Sequence, residues 1–291
     1  MGKRRDATFS ALIYFLTVLT VLALAFVIYF IVREALPTFA EVSIGEFLFG
    51  NVWMPIDYTG FTAFGIFNFI AATVYVSLLA MLFAAVVGLG SALFLSCVAT
   101  QRMRDVLYPF IDLLAGIPSV IYGFIGLAVL VKYFIKAGVH TGSCVLAAGI
   151  LLAVMLLPYL VSSCSETMLK VKDRYLPAAD ALGISRWHFA ATVVLPASWK
   201  NILLSMVLAI GRAMGETMAV MMVMGNANLF PTLLGKSESI ASLIALEMGT
   251  AVAGSTHYHA LYAAGLVLML LLLMINVSIS LLRSRLIRGE E

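Results

Sequence analysis

The sequence predicts an all-α, polytopic membrane protein with six transmembrane helices, and three observations carry that reading. Hydrophobic residues make up 63% of the 291 and charged residues 11%, against about 45–50% and about 25% in soluble domains. The mean hydropathy is +1.06. Six apolar stretches are each long enough to cross the hydrocarbon core, which takes about 20 helical residues. Hydrocarbon offers no partners to the backbone, so each segment must pair its own N–H and C=O groups, and helices follow. The ten-residue alternating stretches of a lipid-facing barrel do not occur. A water-facing surface needs about a quarter to a third of its positions charged, which 18 Lys and Arg with 15 Asp and Glu cannot supply. The net charge of +3 gives no reason to expect a nucleic-acid partner.

In chain order the first stretch is Ser10–Val32. Met1–Arg5 ahead of it resembles a signal peptide, but the run is too long for one and no small-x-small site follows, so an uncleaved first helix is expected. Residues 1–68 form a first unit, this helix with an outer segment carrying Glu34, Glu41, Glu46 and Asp57. The second stretch, Phe69–Cys97, contains Gly88-Leu-Gly90, read as a site of close helix packing. In the third, Val106–Val131, Pro118 frees a carbonyl, so a kink or unwound turn is expected near Ser119; a hinge, a pathway hydroxyl or plain packing all fit. The fourth is Cys144–Ser165, the fifth Asn201–Asn226 and the sixth Ala260–Leu282, with His257 and His259 as polar residues at the interface before it. Thirteen Lys and Arg fall on one side of this arrangement, four on the other and one, Arg212, within a span. The excess marks the cytoplasmic side and places both termini there.

Nothing resembles soluble catalytic machinery. Phe230–Ser237 looks like a phosphate loop but has Phe230 in place of its first glycine and lies in an outer loop. Cys97, Cys144 and Cys164 are odd in number and without metal-ligand spacing. No catalytic residue, metal or cofactor is expected, and a partner must deliver any energy.

Two places carry chemistry. In the inner loop 166–200, Pro177 suits a first helical turn, Ala178–Leu182 favour helix, and Gly183 permits a reversal. Ser185 caps a second short helix bearing Trp187, and Pro196 ends it before the fifth span. The shape suits docking into a groove of another protein. In the fifth span, Arg212 and Glu216 share a face at i, i+4, and Gly211, Gly215 and Ala219 form a small-residue stripe. A charge at mid-membrane costs at least about 2.5–3.5 kcal/mol, so it faces the protein interior. Arg before Glu is the weaker ion-pair direction, which leaves guanidinium donors for an oxyanion. An internal structural ion pair is the alternative.

Ala178-Ala179, three residues, Gly183, nine residues, Val193-x-Leu195-Pro196 resembles the EAA loop of ABC-importer permeases. Pro177 stands where that family has Glu, and Val193 where it has Ile. Gly211-Arg-Ala-Met-Gly-Glu216, Met224-Gly-Asn226 and Gly116-Ile-Pro-Ser-Val-Ile-Tyr-Gly123 are similar to segments of PstC-type phosphate permeases. The resemblance implies a type I importer (MetI-like) fold, with a permease domain over 69–283 and a cytoplasmic tail 284–291. It implies transport of phosphate through the inner membrane, driven by ATP that partner subunits bind. It further implies that Ala178, Ala179, Gly183, Trp187, Leu195 and Pro196 couple to the ATPase, and that Arg212, Glu216 and Ser119 line a substrate pathway. Gly211, Gly215 and Pro118 then serve packing or hinging. The implied partners are a second, PstA-like permease, two PstB-like ATPases and an extracytoplasmic phosphate-binding protein. A permease for sulfate or molybdate, and a carrier or channel independent of ATP, are the alternatives.

Overall fold

In the computed structural model, residues 2–55 and 61–288 are described. Asp57 and residues 289–291 lie outside the described residues, as do the side chains of Lys3, Arg4, Arg5, Arg283, Arg285 and Arg288. The chain begins with α1 (Gly2–Ala35), α2 (Thr38–Glu41) and α3 (Ile44–Phe49). A small antiparallel hairpin follows, β1 (Trp53–Met54) with β2 (Ala63–Phe64). Next come α4 (Phe67–Leu93), which runs into a π turn at Phe94–Val98, and α5 (Gln101–Gly116). The helix starting as α6 (Ser119–Ile125) passes through a π turn at Gly126–Val131 into α7 (Lys132–Lys136). The long α8 (Val145–Ala181) follows, then α9 (Arg186–Phe189), which continues through a π turn at Ala190–Val194 into α10 (Leu195–Met214). The last helices are α11 (Met218–Met224), α12 (Ile240–Glu247) and α13 (Thr256–Arg288). Among the described residues, six helical stretches are long and apolar enough to cross a membrane, the expected number.

α4 and α8 run parallel and form the centre. They approach closely because glycines face leucines: a Cβ on Gly88 would sit 3.3 Å from the Leu160 Cβ, and one on Gly149 would sit 2.8 Å from Leu79 Cδ2. Gly90 faces open space, so the packing role belongs to Gly88 alone of that pair. α10 runs antiparallel to α8, with the Ser163 and Ser205 hydroxyls 2.7 Å apart. The molecule therefore has a hairpin end, where α4 and α8 begin, and an elbow end, where the chain reverses at Gly183.

The break expected near Ser119 is present, and the bounds of the fourth and fifth helices move. The third crossing is two helices, α5 and the helix beginning at Ser119, because a residue before proline is driven out of the α region. Ile117 (ψ 126°) and Pro118 (ψ 140°) are both extended. The fourth helix runs on to Ala181 rather than ending near Ser165. Pro177 thus sits within its last turns, not in a first turn, and withholds the N–H that would reach the Asp173 carbonyl. The fifth crossing starts at the elbow and breaks after Met214. Pro196 does not end a helix: the π turn before it, closed by Leu195 N–H on the Ala190 carbonyl, widens the backbone enough to accommodate the proline ring.

At the hairpin end a cluster including Phe47, Phe64, Ile66, Phe69, Ile240 and Leu243 is fully buried or nearly so. Trp53 packs edge-on against Phe64 and Phe69, and its indole N–H donates to Glu247 Oε2 at 2.9 Å. His257 Nε2 meets the same oxygen at 2.8 Å. His259 Nδ1 lies 2.8 Å from the Glu34 carbonyl oxygen. The two histidines thus tie α13 to α12 and to α1 instead of merely lining an interface. Glu238 is buried beside this knot, and burial, with the Glu247 charge second, pushes its carboxyl up to about 7. The folded state therefore holds this proton more tightly than the unfolded chain, and stability is lost as pH rises between about 4.5 and 7. Glu238→Gln is expected to flatten that loss: its thermal midpoint should exceed the parent's at pH 8 and match it at pH 4.5, as read by unfolding scans in detergent.

Candidate functional site

The elbow follows from local sequence. α8 ends because Gly183 adopts a left-handed φ of +66°, and two bonds close the turn: Gly183 N–H to the Asp180 carbonyl at 3.1 Å and Ile184 N–H to the Ala179 carbonyl at 3.0 Å. This pair satisfies the last carbonyls of a helix in a Schellman motif. Ser185 Oγ then accepts the His188 N–H, capping α9 as expected. Ala179, Phe189, Ala190 and Val194 are buried with Cys97, Cys164 and Met168, so the elbow is fixed to the ends of α4 and α8. Ala178 and Pro196 are exposed and Leu195 half-buried. Trp187, at 67% exposure, projects from the tip beside Leu182, at 76%. Sequence reasoning missed Leu182 as part of this apolar knob. Its place next to the reversing glycine was the available signal.

The second region lies at mid-depth. From the Ser163–Ser205 contact, antiparallel α10 brings Arg212 opposite residue 156, about 16 Å along α8 from Val145. That is near the middle of a core about 30 Å thick. α10 stops two residues later. A helical Gly costs about 1 kcal/mol, Thr217 is β-branched, and Glu216 Oε1 accepts the Ala219 N–H, taking one of the free donors at the start of α11. Arg212 and Glu216 therefore do not share a face of one helix, and they form no ion pair among the described residues. The expected stripe is split as well. Ala219 is buried against the Gly123 position, whereas Gly211 faces open space and Gly215 meets only backbone of its own turn. Arg212 and Gly215 are exposed on the same uncovered side, with Glu216 half-buried.

The break at Ile117–Pro118 lies at a similar depth. α5 runs antiparallel to α8, with Tyr108 Oη donating to Ser165 Oγ at 3.0 Å, which carries Pro118 to the level of residues near 155. Tyr122 Oη bridges the break by donating to the Leu114 carbonyl at 2.9 Å. Half-buried Ser119 opens the next helix. The two outer half-helices pack directly on each other: a Cβ on Gly123 would stand 3.3 Å from Ala219 Cα and closer still to the Met222 sulfur. The outer halves of two interrupted helices thus meet, with both breaks near mid-membrane and Arg212 in the last turn before the second one. Among the described residues no group of three His, Cys, Asp or Glu is placed to hold a metal.

Residues 84–288 match the family model described as the binding-protein-dependent transport system inner membrane component. A probable ABC transporter permease protein YqgH of Bacillus subtilis is 36% identical over 82% of this chain and 78% of its own. The phosphate transport system permease protein PstC of Xylella fastidiosa is 34% identical over 98% of this chain and 95% of its own. Among solved structures, an inward-facing MetNI methionine ABC transporter chain superposes with a TM-score of 0.58, covering 74% of this chain and 93% of that one at 14% identity. That likeness shows the expected MetI-like fold.

The packing of the two half-helices gives a direct test. Gly123→Val should force the Met222 side chain and the α11 backbone apart, costing about 1–3 kcal/mol. A lowered thermal midpoint is the expected reading. The same substitution at open Gly211 should change stability by no more than about 1 kcal/mol, the scale of glycine-to-branched differences in helix propensity, with the midpoint held or slightly raised.

Proposed function

The chain belongs to the family of binding-protein-dependent transport system inner membrane components, and from that premise we propose that it is the PstC-type subunit of an ATP-driven phosphate importer. The observation that carries this reading is Arg212: a guanidinium at mid-depth, exposed on one side of the chain and unpaired with any described carboxylate. Lipid cannot cover that side without a cost of several kcal/mol. A second, PstA-like permease is the natural cover, with Gly211 and Gly215 allowing its approach. The space between the two subunits is then the pathway. Its anion meets Arg212, a fork suited to two phosphate oxygens. Ser119, at the start of a helix facing the gap, offers a hydroxyl, and Glu216 supplies repulsion that speeds release. Phosphate itself is supported by the PstC relatives. Pro118 and the Gly215 break let each crossing flex between outward and inward access.

Movement is supplied through the elbow. We place it and both termini in the cytoplasm, consistent with the Lys and Arg bias. There Trp187 and Leu182 enter a cleft of one of two PstB-like ATPases, while Ala178, Ala179 and Gly183 keep the tip narrow and the Leu195–Pro196 segment passes the motion into α10. An extracytoplasmic phosphate-binding protein delivers the anion at the hairpin end.

Arg212→Gln in the assembled complex should lower phosphate uptake in proteoliposomes by about ten- to a hundredfold, the loss of one or two charge-assisted hydrogen bonds, with ATPase subunits still co-purifying. Undiminished uptake would exclude the pathway role. Uptake assayed with competing sulfate and molybdate checks the anion.

Gly183→Asp tests coupling. A Cβ there meets nothing within 4 Å, and Asp tolerates the left-handed region at a cost of about 1 kcal/mol, so the fold should survive. Combined with Trp187→Ala, it is expected to release the ATPase during purification. Normal association with normal uptake would refute the docking reading.

A further inference from the structure

A second cluster of charge, unused by the transport reading, lies at the elbow end. Lys172 is on the part of α8 that projects beyond the apolar stretch. It is 7% exposed, and its Nζ donates to the Ser96 carbonyl at 2.7 Å, which occupies one of three donors. Arg104 lies one helical turn back along α5 from Tyr108, whose hydroxyl is bonded to Ser165. Because α5 and α8 are antiparallel, Arg104 stands beside the turn of α8 that leads to Lys172. Its Nε is buried and has no hydrogen-bond partner. From a third direction, α9 buries Phe189 in the same cluster as Met168 and Cys97 and brings Arg186 alongside. The charges of Arg104 and Arg186 both act on Lys172, with the Cys97 thiol and the Asp173 carboxylate as the opposing groups. Among the described residues, no carboxylate comes within ion-pair distance of any of the three cations. A cation buried as deeply as Lys172, or a guanidinium nitrogen as enclosed as the Arg104 Nε, ordinarily has an anion or acceptor beside it. The membrane supplies a candidate counter-charge: residue 172 lies about 40 Å along α8 from Val145, roughly 10 Å past the far edge of a hydrocarbon core about 30 Å thick that starts there, at the outer margin of the headgroup layer once the usual helix tilt of about 20° is allowed for.

We propose that Arg104, Lys172 and Arg186 form a binding site for a phosphate group at the membrane interface, carried by an anionic phospholipid headgroup or by inorganic phosphate in solution. Two guanidiniums offer forked donors and the ammonium a point charge, the combination that suits a phosphate's several oxygens. A ligand there bridges α5, α8 and α9 and so braces the elbow. The site is separate from Arg212 and does not depend on the transport reading.

The test uses the full chain, purified in detergent. Native mass spectrometry after incubation with equal phosphatidylglycerol and phosphatidylcholine reads the lipid arm, and phosphorus NMR line broadening with inorganic phosphate reads the free-anion arm. Preferential retention of phosphatidylglycerol, reduced about tenfold in Arg104→Gln/Arg186→Gln, supports the site with a lipid source. Saturable phosphate broadening lost in that variant supports it with a free-anion source. Arg186→Gln alone, on an exposed side chain, should weaken binding in the same direction without touching the buried contacts, and Lys172→Arg should preserve it. Two results overturn the proposal: neither ligand bound by the parent chain, or binding that the double variant leaves unchanged. Protection of Arg104 and Arg186 from guanidine-modifying reagents that appears only when an ATPase subunit is added, with neither ligand bound, also overturns it in favour of a protein contact.

Discussion

A positive charge at the middle of a hydrocarbon layer cannot be met by lipid, and much of this structure is arranged around that condition. Arg212 is neither neutralised by Glu216 nor buried by its own chain. Its side of α10 is lined by Gly211 and Gly215, which present no Cβ to a neighbour. Turned about 160° from those glycines, the same helix carries Ala209 and Ala213, packed tightly into the central cluster with Leu152 and Leu156, so that Arg212 sits at the border between the two. One face is therefore committed to the fold and the other reserved. On the proposed function a second permease subunit covers the reserved face, because insertion cost disfavours leaving it to acyl chains.

The membrane character, the number of crossings, the elbow glycine and its serine cap were all legible in the sequence, because each depends on composition or on a single residue's backbone preference. Gly183 at positive φ and Ser185 accepting the His188 N–H are local facts. The helix ends were not legible. Apolar content says where lipid can be, but a helix that leaves the membrane alongside another helix keeps its hydrogen bonds regardless of hydropathy, which is how α8 extends to Ala181. Pro177 and Pro196 misled for a related reason. A proline ends a helix only when nothing compensates its missing donor and bulky ring, and here a nearby terminus and a π turn do so. The break at Gly215–Thr217 depends on Glu216 turning its carboxylate to the Ala219 N–H, a choice between an ion pair and a cap that residue spacing does not decide.

The interruptions and the elbow are connected by one feature. From Arg186 to Met214 the backbone is a single helical rod, because the π turn joins α9 to α10 without a loop. Trp187 at its tip and Arg212 near its other end are about 38 Å apart along that rod. The rod is bounded by the Schellman turn on one side and the glycine break on the other. On the proposed coupling, a force applied at Trp187 travels along this one helix toward mid-membrane. It reaches the gap where α11 meets the helix beginning at Ser119, and these two half-helices are locked through Gly123 and Ala219 so that they respond together. Two breaks at one depth allow the halves nearer the elbow to move against the halves nearer the hairpin while every backbone group outside the breaks stays paired, a requirement that hydrocarbon imposes on any such motion. The proposed coupling thus needs no new contact inside the chain, only a partner at each end of the rod.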